Sequence, residues 1–216
     1  MIKSKKYHVM QFMEFNNQVE KILDYREGEL LYDYINRADI SKKDVCGLIR
    51  GLTTELNNYR SASENRPYEG VNPYNVLVTE KGEVLLLDMR EKSNEFVNKK
   101  MESNAMRENY SKAYKKICIE TGIPKDIFTF AVTIGYIMVS IGEKVKFTYL
   151  EQKRLMRVIE RCIGEKRRIY TDFYKIEEDL KSTVNIPYKR VQKKTTAALT
   201  MMVLLLVILS FVLAFF

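Results

Sequence analysis

The side chains best placed to do chemistry lie close together, in the segment YEGVNPYNVLVTEKGEVLLLDMR from Tyr68 to Arg90. Glu69 is a carboxylate, able to take a proton from a hydroxyl within hydrogen-bond reach. Asn75 and Asp88 stand at the ends of two apolar runs, where Asn and Asp ordinarily cap turns and tie loops through their side-chain oxygens. Asn72-Pro73 sets a turn or an extended stretch ahead of them, because the ring restricts its own φ and the residue before it. Val76–Val78 and Val84–Leu87 are β-branched and aliphatic, and Lys81-Gly82 separates them, so the segment is expected to form strand, turn, strand.

These residues resemble the catalytic loop and metal-binding strand of protein kinases and related phosphotransferases, written H-R-D-x-x-x-x-N followed by D-F-G. Aligned on Asn75, the family's His falls on Tyr68, its Arg on Glu69 and its catalytic Asp on Gly70. The resemblance implies that Asn75 and Asp88, thirteen positions apart, match the two ligands of nucleotide-bound magnesium, while Met89 and Arg90 replace the Phe and Gly. The family's Asp orients the attacking hydroxyl and accepts its proton. Gly70 has no side chain to do so, and Glu69 is one residue out of register. Catalysis is therefore not expected, and Mg-ATP enters only as a residual ligand of Asn75 and Asp88.

The elements around the segment extend the resemblance over roughly residues 20–180. Ile22 to Ile35, ILDYREGELLYDYI, is similar to the kinase hinge and the helix after it. The 21 residues before it hold no glycine, hence no glycine-rich phosphate loop, and Lys3, Lys5, Lys6 and Lys21 have no helix to supply a glutamate partner. A hairpin is expected there instead: Tyr7 to Phe15, a turn at Asn16-Asn17, and Val19 to Tyr25, supported by the helical part of the chain because an isolated hairpin is marginal. Val45, Leu48, Ile49, Leu52, Leu56 and Tyr59 form one helical stripe, with Ser41 as N-cap followed by Asp44. A second helix is expected over Ala105 to Thr121, ended by Gly122 and Pro124. No A-P-E motif follows.

Asp126 to Ser140 resembles the central buried helix of the kinase C-lobe, whose N-terminal Asp braces the catalytic loop; an acid is also favoured there by the unpaired N–H groups. Leu155, Met156, Ile159, Cys162 and Ile163 form a further stripe, and Ile169, Phe173, Ile176 and Leu180 a last one. Arg167 or Arg168 falls near the family's structural arginine.

From Thr195 to Phe216, 22 residues carry no charge. As a helix they would measure about 33 Å, enough to span a bilayer. Lys181, Lys189, Arg190, Lys193 and Lys194 precede them with no acid from 181 to 194, and so hold five of the net eight positive charges. The positive-inside rule places residues 1–194 in the cytoplasm, with Lys189, Arg190, Lys193 and Lys194 facing anionic lipid headgroups. A basic excess beside the membrane does not point to nucleic acid.

The expected fold class is therefore α+β and mainly helical. A reduced hairpin lobe (1–25) precedes a kinase C-lobe-like domain (26–182), a basic juxtamembrane linker (183–194) and a single C-terminal transmembrane helix (195–216). Cys46, Cys118 and Cys162 sit in apolar helical patterns without metal spacing and read as reduced core residues. His8, the one histidine, reads as a surface strand residue.

The function implied is that of a membrane-anchored, catalytically inactive pseudokinase, a scaffold for membrane proteins or for cytoplasmic proteins at the membrane. Its layout loosely resembles the pseudokinase subunit of bacterial type VII secretion, and the abundance of Lys, Ile, Asn and Tyr is compatible with a bacterial source. A nucleotide- or magnesium-binding regulator and a divergent active phosphotransferase are the alternatives.

Overall fold

The computed structural model describes residues 5–16, 18–166 and 168–184. The expected membrane helix, the linker from residue 185, Lys189, Arg190, Lys193 and Lys194 lie outside them, as does Arg167. Among the described residues no helix is long and apolar enough to cross a membrane. The fold is α+β, with four strands and a set of helices of which two are long and buried.

Strand β1, Lys5–Phe15, turns at Asn16 and returns as β2, Gln18–Leu30. Asn16 takes φ 51°, a left-handed conformation that asparagine tolerates better than most residues. The return strand runs five residues past Tyr25, so most of the hinge-like segment is strand, followed by the short helix α1, Leu31–Ile35. Strands β3, Val76–Val78, and β4, Val84–Leu87, form the second hairpin, with Gly82 at φ 78° in its turn.

The first hairpin does more than lie on helices. Val9 and Met10 pair with Leu87 and Leu86, and Glu29 and Leu30 pair with Val78 and Leu77, so the four strands close on themselves. Both faces of β3 and β4 are covered. Met10, Val76, Val78, Val84 and Leu86 join the main core, whereas Val9, Leu30, Leu77, Leu85 and Leu87 form a second cluster with Val97. That double burial explains why β3 and β4 read as unbroken apolar runs instead of alternating.

Helix α2, Lys42–Ala62, starts in a capping box: Ser41 Oγ accepts from the Asp44 amide at 3.2 Å, and Asp44 Oδ2 accepts from the Ser41 amide at 2.9 Å. The Ser41 hydroxyl, which donates to Asp44 Oδ2 at 2.6 Å, and then the Ser41 amide hold the Asp44 carboxyl below its usual range. After Asp88, a 3-10 turn over Lys92–Asn94 leads to α3, Phe96–Met101. The helix expected over Ala105 to Thr121 is present in three parts: α4, Asn104–Met106, a π-helical stretch, Arg107–Lys112, and α5, Ala113–Thr121, stopped at Gly122 with φ 66°.

Helix α6, Lys125–Ile141, is the central one, with Ile127, Phe130, Ile134 and Ile137 buried. Pro124 occupies its N-cap position, so Asp126 is a first-turn acid. Helices α7, Tyr149–Cys162, and α8, Phe173–Val184, close the core through Leu155, Ile159, Phe173 and Ile176; Ile163 and Ile169 lie outside both helices. A second capping box, Thr148 with Glu151, starts α7, and Lys42 Nζ reaches Glu151 at 2.6 Å, joining the starts of α2 and α7. Cys46 and Cys162 are buried free thiols, and burial pushes both up.

Two positions on α2 give opposite expectations for one substitution. An added Cβ at Gly47 meets nothing within 4 Å, so Gly47→Ala should stabilise by up to about 1 kcal/mol through helix propensity. At Gly51 it would lie 2.7 Å from Val84 Cγ2, so Gly51→Ala should destabilise by about 1–3 kcal/mol. Denaturant midpoints of the two variants decide this.

One turn on, Glu55 lies between Gly51 and Tyr59, whose ring meets Phe12 edge-on at 6.2 Å. Glu55 Oε2 is buried with no partner among the described residues, and burial, opposed by a bond with Asn58, pushes its carboxyl up to about 7. The folded state then binds this proton more tightly than the unfolded chain. Its stabilisation is complete below the ordinary value of 4.5 and is lost as pH rises to about 7. Glu55→Gln should flatten that part of the melting-temperature profile; an unchanged slope would contradict the assignment.

Candidate functional site

The loop Tyr68–Asn75 is held from below by an ion pair that joins two helices. Arg60, in the last turn of α2, donates from Nε to Asp126 Oδ2 at 2.7 Å and from Nη2 to Oδ1 at 2.6 Å. Asp126 is 0% exposed. Its Oδ2 also accepts from the Tyr68 amide at 3.2 Å, so the expected brace between this acid and the loop is present. Arg60 Nη1 donates to the Thr171 carbonyl at 2.6 Å, and its guanidinium lies 5.3 Å from the centre of the Phe173 ring. The buried carboxylate thus has a bidentate cation and a backbone donor, the condition under which such a charge is tolerated.

Two threonines on α6 continue the brace. Thr129 Oγ1 accepts from the Val71 amide at 2.9 Å, and Thr133 Oγ1 donates to the Val71 carbonyl at 3.1 Å. Above them the Tyr68 ring packs edge-on to Tyr59 at 5.1 Å, and its hydroxyl donates to the Leu87 carbonyl at 3.0 Å. Full burial, reinforced by Glu69, pushes that hydroxyl above the ordinary tyrosine range, so it stays a neutral donor. The residue in the family's His position is therefore a strut between loop and strand.

Asn75 is 1% exposed and turned into its own loop. Its Nδ2 donates to the Gly70 carbonyl at 2.7 Å, and its Oδ1 accepts from the Asn72 amide at 2.9 Å. Gly70 has φ 138°, a conformation that residues with a side chain rarely adopt. Asp88, 4% exposed, accepts the Arg90 amide on Oδ1 at 3.0 Å, and its own amide donates to the His8 carbonyl of β1 at 3.2 Å. Asn94 Nδ2 ties the Asp88 and His8 carbonyls together at 2.8 and 2.9 Å, leaving its buried Oδ1 without a partner among the described residues. As arranged, Asn75 does not offer its amide oxygen to a magnesium ion: that oxygen is turned inward to the backbone, and a hard cation needs several open oxygen ligands and its own waters.

The surroundings close the same end of the sheet. The residue expected as a surface strand histidine, His8, is half-buried, with Nδ1 2.8 Å from Ser93 Oγ and its ring 4.7 Å from Tyr25. Helix α3 seats Val97, 1% exposed, on the cluster of Leu77, Leu85 and Leu87. Glu69 is exposed and acts on this network only through its charge beside Tyr68.

No protein-family model matches this chain, and no curated protein matches it.

Several of these residues escaped the sequence. Arg60 continues the four-residue steps Leu52, Leu56, Arg60, so a cation in phase with an apolar stripe was the available signal. Ahead of the expected structural arginine, Arg161 is stacked on Tyr170 at 3.8 Å and bonded to the Tyr170 hydroxyl and Asp179, and its Nε donates to the Arg168 carbonyl.

Removing one partner of the buried pair should cost about 3–5 kcal/mol. Asp126→Ala and Arg60→Ala are each expected at that level, and the double variant at well below their sum, as a double-mutant cycle in denaturant would measure.

Proposed function

We propose that this chain is a catalytically inactive kinase-like protein that acts as a protein-interaction scaffold at the cytoplasmic face of a membrane. The observation that carries the reading is the commitment of Asn75. One of the two side chains that would have to present an oxygen to a metal is buried and bonded at both ends of its amide to its own loop. Gly70, Asp88 and β1 agree with it: no side chain can act as base at the first, and the strand carbonyl of His8 holds the backbone of the second. A loop so tied to α6 and to the sheet is a rigid platform, the property that a binding surface needs. The uncharged stretch 195–216 and the basic residues before it support the membrane placement.

Titration of the full chain with magnesium-ATP, followed by thermal shift, is expected to leave the melting temperature unchanged. A concentration-dependent stabilisation abolished by Asp88→Ala would replace this reading with that of a nucleotide-binding regulator. Radiolabelled phosphate transfer that disappears in Glu69→Ala would make the protein an enzyme. Gly70→Asp is expected to lose about 1–3 kcal/mol of stability through backbone strain and to gain no transfer activity.

A further inference from the structure

A cleft of about 540 Å³ opens beside the platform, bordered by the start of β1, the junction of β2 with α1, and α3. Its chemistry is of two kinds. Lys5, Lys6 and Lys100 bring cations to it, against the single acid Asp33. Lys6 is 3.2 Å from Glu27, with both side chains about half exposed, which is a weak tie. Lys5 and Lys100 have no acidic partner within salt-bridge distance among the described residues.

The remaining walls are aromatic. Tyr32 and Tyr74 stack at 4.8 Å with their planes 26° apart, Tyr7 and Phe96 meet at 5.9 Å, and Leu30 adds an aliphatic side chain to the lining. A third feature belongs to the backbone. The ladder between β1 and β4 covers Val9 and Met10 only, so the edge of Lys5–Tyr7 away from β2 has no strand partner among the described residues.

We propose that this cleft binds an acidic segment of a partner protein. An aromatic or aliphatic side chain enters between the tyrosines and Phe96, and flanking carboxylates face Lys5, Lys6 and Lys100. An extended peptide uses all three features at once: the cations, the aromatic walls and the free strand edge, whose N–H and C=O groups can continue the sheet. A layer of lipid phosphates would use the lysines alone and would meet Asp33. The proposal rests on the scaffold reading and names the class of partner that it would hold.

The test uses the full chain in a neutral detergent and a fluorescently labelled peptide of alternating Glu and Phe, read by anisotropy. Binding is expected, weakening as salt is raised. The double variant Lys5→Glu with Lys100→Glu should weaken it about tenfold or more, while Lys153→Glu on α7 leaves it unchanged. Equal binding of the Gln-Phe peptide, equal binding by the double variant, or no binding at all overturns the proposal. Binding of a short-chain phosphatidylserine that the double variant loses, in place of peptide binding, assigns the cleft to lipid and overturns it too. A failed peptide with a flat ATP titration leaves the inactive scaffold standing, whereas ATP stabilisation lost in Asp88→Ala removes that reading independently.

Discussion

The Arg60–Asp126 pair is the constraint from which the rest of the domain takes its geometry. Apolar packing sets how much surface α2 and α6 bury, but it is non-directional and would allow the helices to slide or rotate. Two guanidinium bonds to one carboxylate fix both at a single point, and the Tyr68 amide and Thr171 carbonyl bring the loop and the segment before α8 to the same point. Replacing a buried pair with well-fitted apolar groups is often neutral in stability, so what such a pair supplies here is position.

From that point the loop is built upward by bonds of one kind, side chain to backbone. Asp126, Thr129, Thr133 and Asn75 each hold a main-chain group of residues 68–72, and Tyr68 then holds the carbonyl of Leu87. A catalytic loop needs side chains left free to act on something else. Here Asn75 and the α6 side chains Asp126, Thr129 and Thr133 are committed to holding the backbone, and burial makes each of those bonds costly to break.

Local patterns were legible in the sequence wherever a few neighbouring residues decide the outcome. The Val76–Leu87 hairpin, the Ser41 cap, the apolar stripe of α2 and the buried run from Asp126 all follow from propensity and period. The brace of Asp126 on the loop came through the family resemblance. What the sequence did not disclose was mostly non-local. Nothing in Val9-Met10 announces Leu86-Leu87 as a partner, and nothing in Phe96–Met101 announces that it covers the sheet. Asn75 is instructive in a different way. Its residue type fits both a ligand and a loop tie, and only the direction of its amide separates the two. The Thr148 box, by contrast, had a readable T-x-x-E spacing that went unused.

Closure of the sheet also has a consequence for how the chain is made. β1 is synthesised first, but its partner on one side is the last strand, so Val9 and Met10 must wait for Leu86 and Leu87 while α2 and the loop are still emerging. During that interval the early hairpin has only its own ladder, and Met13, Phe15 and Ile22 project from it even in the finished fold. Two-stranded ribbons do not hold alone in water. The nascent chain therefore carries an apolar strand edge until β4 has emerged, which makes the first strand the part of the molecule most dependent on a chaperone or on early capture by α2.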